Sequence, residues 1–276
     1  MAQLPVANAL TLELEPVVAD NLARFLDTSD SWYAHDYVPF DEGRDFEFLG
    51  GVDWDASQVT LPKDVVDALE VLLITKDNLA GYHRELVEHF ILADKWGRWL
   101  GRWTAEENLH AIAIRQYLVV TRNTDPNADE RVRVNHVMRG YRAAHYSQIE
   151  TLVFMAFWER AHAVYLRNLE AAITEPALKN LVGRIRRDEE RHQEFFSNLV
   201  LHCLENHRDQ TICAIARRAN DFPVIGGDIL EYRDNKVRTV AEAGIFDQNA
   251  ADTVVSDSIS DWGLAGEAIL EKFVRA

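Results

Sequence analysis

The sequence predicts an all-α fold: a four-helix bundle with further helices before and after it. Three observations lead there. Apolar residues recur at helical spacing over almost the whole chain, and no stretch alternates with the period of two that a half-buried strand requires. The long periodic segments are separated by short runs rich in Asn, Asp, Gly and Pro. Three of those segments also carry acids or imidazoles inside their apolar stripes rather than opposite them.

The elements follow in order. A short helix is predicted over 13–27, and 28–61 reads as irregular because of Gly43, Gly50, Gly51 and many Asp. "TLPKDVVDALEVLL" opens one long helix, with Pro62 near its first turn and an end near Ala93. A second helix covers about 96–120, and "TRNTDPNAD" breaks the chain at Pro126. A third runs from about 130 to 171, with Gly140 as the point where it divides. "TEPALKN" restarts the chain, and a fourth helix covers 176–205. The tail carries shorter helices separated by "DFPVIGGD" and "EAGIFDQ". The expectation is a single domain over 1–276, with the bundle core at about 62–205 and C-terminal additions over 206–276.

With 276 residues and 47% apolar content, the chain can bury a large core. A net charge of −16 argues against general binding to nucleic acid or to an anionic membrane surface. The longest apolar run, around "LVFMAFW", is far short of a bilayer span. The first residues lack the charged and apolar regions of a secretory leader. Cys203 and Cys213 both read as core residues of apolar helical segments, and two cysteines cannot make a zinc site. A reducing, cytoplasmic setting is expected.

"RWTAEENLHAIAI" places Glu107 and His110 three apart, and "RDEERHQEFF" does the same with Glu189 and His192. Residues three apart on a helix point within about 60° of each other, so each pair can reach one point. Glu107 and His110 interrupt the stripe of Trp96, Trp99, Trp103 and Ile114. Glu189 and His192 interrupt that of Leu181, Ile185, Phe196 and Leu199, and Glu159 that of Leu152, Met155 and Leu166. An unpaired buried carboxylate costs on the order of several kcal/mol, so three of them need cations. A metal centre built from Glu107, His110, Glu159, Glu189 and His192 meets that need. A two-metal bundle site normally takes one more acid from the remaining helix. There the residue interrupting the stripe is Lys76, with Asp77 about 100° round the helix.

"WTAEENLH" and "DEERH" closely resemble the motifs W-T-A-E-E-N-R-H and D-E-K-R-H of the soluble acyl-carrier-protein desaturases. "WERA" at Glu159, "WYAHDYVP" and "DFPVIGG" follow the family's order, so the resemblance spans almost the whole chain. It implies a ferritin-like, homodimeric enzyme that uses two irons and O₂ to put a cis double bond into an acyl chain held on acyl carrier protein. A ferredoxin would supply the electrons. It implies that Glu107 and Glu189 bridge the metals, that Glu159 and His192 complete one, and that His110 binds the other. It also implies that Trp32 and Asp188 link the surface to the His110 metal.

The chain departs from the pattern twice. Where the family reads I-T-E-E-A-L-P-T-Y this chain reads "ITKDNLAGY", and Lys76 stands at the position of a ligand glutamate. An ammonium cannot coordinate, so about one metal per chain, Fe or Mn, is expected instead of two irons. Lys76 should pair with the buried glutamates. His162 stands where plant members carry a threonine, and reads as an extra ligand, a proton donor or a satisfied core histidine.

Three readings of function follow: an acyl-carrier-protein desaturase in fatty acid biosynthesis, a related oxidase or hydroxylase, and a one-metal homologue that binds acyl chains or carrier protein or partners active relatives. Because carrier proteins are acidic, docking requires a local basic face. Arg184, Arg187 and Arg191 are the candidates for that contact, with Arg139 and Arg142 as a second basic spot. The tryptophan-rich second helix is expected to supply part of the homodimer contact.

Overall fold

The computed structural model describes residues 8–90, 94–140 and 146–274. Among these residues there is no strand, and no helix is long and apolar enough to cross a membrane. α1 (Ala9–Thr28) starts where the Asn8 side chain accepts the Thr11 N–H at 2.9 Å, four residues earlier than the periodicity suggests. Residues 28–61 form four short 3₁₀ turns joined by extended backbone. One arginine ties part of this segment down. Arg122 takes a left-handed conformation (φ 60°), and its guanidinium lies 3.7 Å from the Phe46 ring. It donates to the carbonyls of Arg44, Asp45 and Val52.

The long helix expected over 62–93 is two: α2 (Lys63–Asp77) and α3 (Leu79–His89). The interruption is the single residue Asn78, whose N–H turns back to Thr75 O in 3₁₀ fashion. Asn competes poorly in a helix interior because its side chain favours turn conformations, and the apolar period continues across it unchanged. α4 (Asp94–Val120) matches its expected range. α5 (Pro126–Arg139) and α6 (Gln148–Ala172) divide where Gly140 adopts φ 72°. α7 (Pro176–Asn206) opens with Pro at its first position, and Glu175 accepts from the Ala177 and Leu178 N–H groups. α8 (Arg208–Asn220), α9 (Lys236–Glu242) and α10 (Gln248–Asp261) form the C-terminal part.

α2, α4, α6 and α7 surround one apolar core, in a ferritin-like arrangement, with α1 laid across α4 and α7. α6 and α7 lie close along their length. At Gly183 an added Cβ would come 2.8 Å from the Glu170 carboxylate, which accepts from Arg186 there. The C-terminal helices cover α2 through α9, and α6 through α8 and α10. Three tryptophans of α4, Trp96, Trp99 and Trp103, lie inside this core, each at most 2% exposed. Trp96 donates to Thr11 O, and Trp99 packs on Phe25 and Phe195. Trp96 and Trp99 face α1 and α7 and Trp103 faces α6 of their own chain, so these side chains are not free to make a dimer contact. Cys203 is buried as expected, whereas Cys213 is exposed on α8, because its helix shows that side to solvent.

α6 is held at its start by a reciprocal cap: Glu150 N–H donates to Ser147 Oγ at 3.2 Å, and Ser147 N–H to the Glu150 carboxylate at 2.7 Å. Removing the hydroxyl by Ser147→Ala is expected to lower stability by about 1 kcal/mol. Urea unfolding should show a lower midpoint at unchanged slope, and an unchanged midpoint would mean that the cap contributes nothing.

Candidate metal centre

Four helices each bring a side chain to one point midway along the bundle. α2 contributes Lys76, α4 Glu107 and His110, α6 Glu159 and His162, and α7 Glu189 and His192. All are buried. The Lys76 ammonium lies between two acids, 2.8 Å from Glu107 Oε2 and 2.7 Å from Glu189 Oε1. Burial works against its charge, but Glu107, Glu189 and Glu159 outweigh burial and hold its pKa above the ordinary lysine range. The expected pairing is therefore present, and its counterpart is visible on the acids. Burial opposes their ionisation, yet Lys76 and His110 bring Glu189 down to about 2, and Glu107 also falls well below the usual range. Glu159 is out of hydrogen-bond reach of the lysine. Burial, reinforced by the Glu189 and Glu107 charges, pushes it up to about 8.

His110 and His192 are oriented alike. His110 Nε2 faces Asp188 Oδ2 at 3.2 Å, and its Nδ1 lies 2.9 Å from Glu189 Oε1 without the alignment of a hydrogen bond. His192 Nε2 faces Glu106 Oε2 at 2.8 Å, and its Nδ1 is 3.5 Å from Glu107 and 3.8 Å from Glu159. Each outer carboxylate is anchored in turn. Asp188 accepts from Trp32 Nε1 at 2.8 Å, from Arg184 at 2.7 Å and from Arg191; Glu106 accepts from Arg102 Nε at 2.7 Å. Burial disfavours the Asp188 carboxylate, but His110 and Arg184 hold it well below the usual range. Trp32 stacks on His110 and Phe25 on His192, at 6.2 and 6.0 Å between ring centres. Trp103 Nε1 donates to Glu159 Oε1 at 3.0 Å.

Whether this arrangement suits metal is decided by its unpartnered atoms. Glu107 Oε1, Glu159 Oε2, Glu189 Oε2 and both Nδ1 atoms are buried with no hydrogen-bond partner. Orphaned buried polar atoms are rare unless something else satisfies them. One atom each from Glu107, Glu159, Glu189 and His192 lie within 4.8 Å of one another, which fits a single ion. Beside Glu107 and Glu189 stands the Lys76 ammonium, which has no lone pair to offer an ion. Asp77 does not supply the missing oxygen: its carboxylate is engaged by Arg115.

A family model described as fatty acid desaturase matches residues 7–274. A Mycobacterium tuberculosis protein named as the acyl-carrier-protein desaturase DesA2 is 66% identical over 274 residues, 99% of each chain. This chain belongs to the acyl-carrier-protein desaturase family. DesA1 of the same organism, also named as such a desaturase, is 34% identical over 91% of this chain and 76% of its own. Desaturase 6 of rice chloroplasts is 24% identical over 92% of this chain and 68% of its own. An X-ray structure of DesA2 superposes with a TM-score of 0.86 at 57% identity, covering 97% of this desaturase-family chain and all of the other.

Three expectations are corrected. Arg184 is buried, bonded to Asp188 and to Asp30 O, and Arg191 is half-buried on the same carboxylate, so they do not form a docking face with the exposed Arg187. The two have turned inward because Asp188, itself buried, needs counter-charge. Of the second basic spot, Arg139 is paired to Glu231 through two hydrogen bonds, and Arg142 lies outside the described residues. His162 is buried but not satisfied: neither ring nitrogen has a partner, and Nδ1 stands 3.6 Å from Glu189 Oε2. Burial, then the Lys76 charge, pushes its pKa down to about 4 and keeps it neutral. Glu106 was not among the expected residues. The sequence did carry a signal for it, since "EENLH" and "DEERH" both place an acid immediately before the acid-x-x-His pair.

Two outcomes test the centre. In chelator-treated protein at pH 7, Lys76→Met should cost about 3–5 kcal/mol, because two buried carboxylates lose their counter-charge. The penalty should shrink as pH falls and those acids protonate in the variant; urea titrations at pH 7 and pH 5 read both. Glu106→Leu keeps roughly the size of the side chain but removes the acceptor that orients His192, and should weaken metal affinity about 10–100-fold in a competitive chelator titration. Unchanged affinity would show that Glu106 does not orient the imidazole.

Proposed function

We propose that this chain binds an acyl chain delivered on acyl carrier protein and holds one metal ion, Fe or Mn, through Glu107, Glu159, Glu189 and His192. In this reading it lacks the second metal that desaturation requires in its relatives. The observation that carries the reading is the Lys76 ammonium, within hydrogen-bond distance of both acids that would bridge a metal pair. Support for the substrate class comes from the relatives named as acyl-carrier-protein desaturases. A ferredoxin-type donor, a homodimer and a cytoplasmic setting belong to the same proposal, with the dimer contact on surfaces other than the α4 tryptophans.

Iron, when bound, supplies one-electron redox chemistry. The rest is the work of this chain's own residues. Asp188 and Glu106 keep a proton on the Nε2 atoms of His110 and His192, which leaves each Nδ1 lone pair facing inward. Trp103 orients Glu159, and the apolar stripes of α4, α6 and α7 keep water out. Lys76 offsets one of the two charges of Glu107 and Glu189 and occupies the space that a second cation would need.

Family membership favours a second reading, an active desaturase in which Lys76 moves aside. Metal analysis and O₂ uptake under reduction, comparing wild type with Lys76→Glu, separate the two. The expected result is about one metal per wild-type chain with little uptake, and about two in Lys76→Glu with uptake restored. Two irons in the wild type, with desaturation of an acyl-carrier-protein substrate, would establish the second reading instead.

A further inference from the structure

The segment between α8 and α9, residues 221–235, is held at its far end by a buried chain of polar groups. Tyr232 Oη donates to Asp129 Oδ1 at 3.0 Å. The Thr124 hydroxyl stands 2.5 Å from Asp129 Oδ2 and 2.6 Å from Glu70 Oε1, and Glu70 pairs through its other oxygen with Lys236. Glu70, Thr124, Asp129 and Tyr232 are each at most 4% exposed. A hydroxyl carries one hydrogen, so Thr124 cannot donate to two carboxylates at once. Two contacts this short require a proton on one of the acids. The Lys236 ammonium favours the ionised form of Glu70, so the proton belongs to Asp129. Asp129 Oδ2–H then donates to Thr124, and Thr124 donates to Glu70. Burial acts in the same sense, raising the Asp129 pKa.

We propose that this shared proton is a pH-sensitive latch: it fastens the 221–235 segment to α2 and α5, and its loss as pH rises loosens the segment. The latch guards a cavity of about 440 Å³. Pro223, Val224, Asp228, Leu230 and Arg233 form one wall of that cavity, facing His136 and Arg139 of α5 and the rings of Tyr82 and Trp158. Once Asp129 ionises, two buried carboxylates are left with one hydroxyl hydrogen between them, and Asp67, also buried, lies one turn away on α2. The surrounding cations do not relieve this. Lys63 is taken by Asp67, Arg115 by Asp77 and Lys236 by Glu70. Asp125 opposes ionisation of Asp129, and Glu231, paired to Arg139, adds negative charge beside Tyr232. Burial keeps the hydrogen on Tyr232, and it pushes Lys236 down only to about 8, so the lysine stays charged below that pH.

Because the latched acid has a raised pKa, opening rises with pH from the ordinary carboxylate range near about 4 up to that raised value, about tenfold per unit, and is level above it. The other titratable contact of the segment runs the opposite way. His136 faces Asp228 at 3.8 Å, and burial lowers the His136 pKa, so a falling pH loosens that contact.

Hydrogen exchange of the backbone amides of residues 229–240, corrected for intrinsic rates and followed from pH 5 to pH 8, reads the opening. In wild type it should climb with pH and then level off. In Asp129→Asn the side-chain amide donates to Thr124 and accepts from Tyr232 at every pH, so the corrected exchange should be flat. Tyr232→Phe removes a donor that favours the ionised acid, so the levelling-off should move to higher pH. An infrared difference spectrum at pH 5, wild type minus Asp129→Asn, should carry the band of one protonated carboxyl. Any of four results overturns the latch: flat exchange in wild type, the wild-type profile in Asp129→Asn, a levelling-off unmoved by Tyr232→Phe, or no carboxyl band in the difference spectrum.

Discussion

The ammonium of Lys76 between Glu107 and Glu189 sets the charge pattern of the entire bundle. Buried ions survive only when each has a counter-ion in good geometry, and here the sign alternates outward from that point. A cation is surrounded by glutamates, the glutamates by imidazoles, the imidazoles by Asp188 and Glu106, and these by Arg184, Arg191 and Arg102 at the margin of the bundle. Each layer makes the next one tolerable. Asp188 is fully buried and yet stays ionised because His110, Arg184, Arg191 and Trp32 all hold it.

The helices supply the rigidity that such a pattern needs. α4 and α7 are 27 and 31 residues long, and each presents its acid and histidine from the same turn. Consecutive acids divide the work between faces, about 100° apart on a helix. Glu107 points at the centre while Glu106 reaches the far side of a histidine on α7, and the same holds for Glu189 and Asp188 with the histidine on α4. The two halves thus brace each other across the bundle. Phe25 and Trp32, brought by α1 and the irregular segment, close the two ends with aromatic faces.

Much of this was legible in the chain itself, and the limits are physical. Helical periodicity converts spacing into facing, so a polar residue inside an apolar stripe announces a buried position; Lys76, Glu107, Glu159, Glu189 and His192 were all visible that way. The inward turn of Arg184 was not, because its partners Asp30 and Trp32 sit in a segment without periodicity. The break at Asn78 was hidden for the converse reason: the apolar period runs through it undisturbed. The α4 tryptophans show that a wide aromatic stripe does not distinguish a subunit contact from a face covered by the chain's own α1. A lone polar residue such as His162 reveals its burial through its neighbours, but whether its nitrogens find partners depends on side chains from other helices.

A bundle with four acids at its centre must either take up cations as it folds or fold with its acids protonated, so its assembly is coupled to metal supply. Lysine in the fourth place loosens that coupling. The chain brings one counter-ion of its own, covalently attached and present at the first moment of collapse, so its core folds with part of its counter-charge already in place. A fourth acid in that place would instead leave the interior dependent on cations from solution.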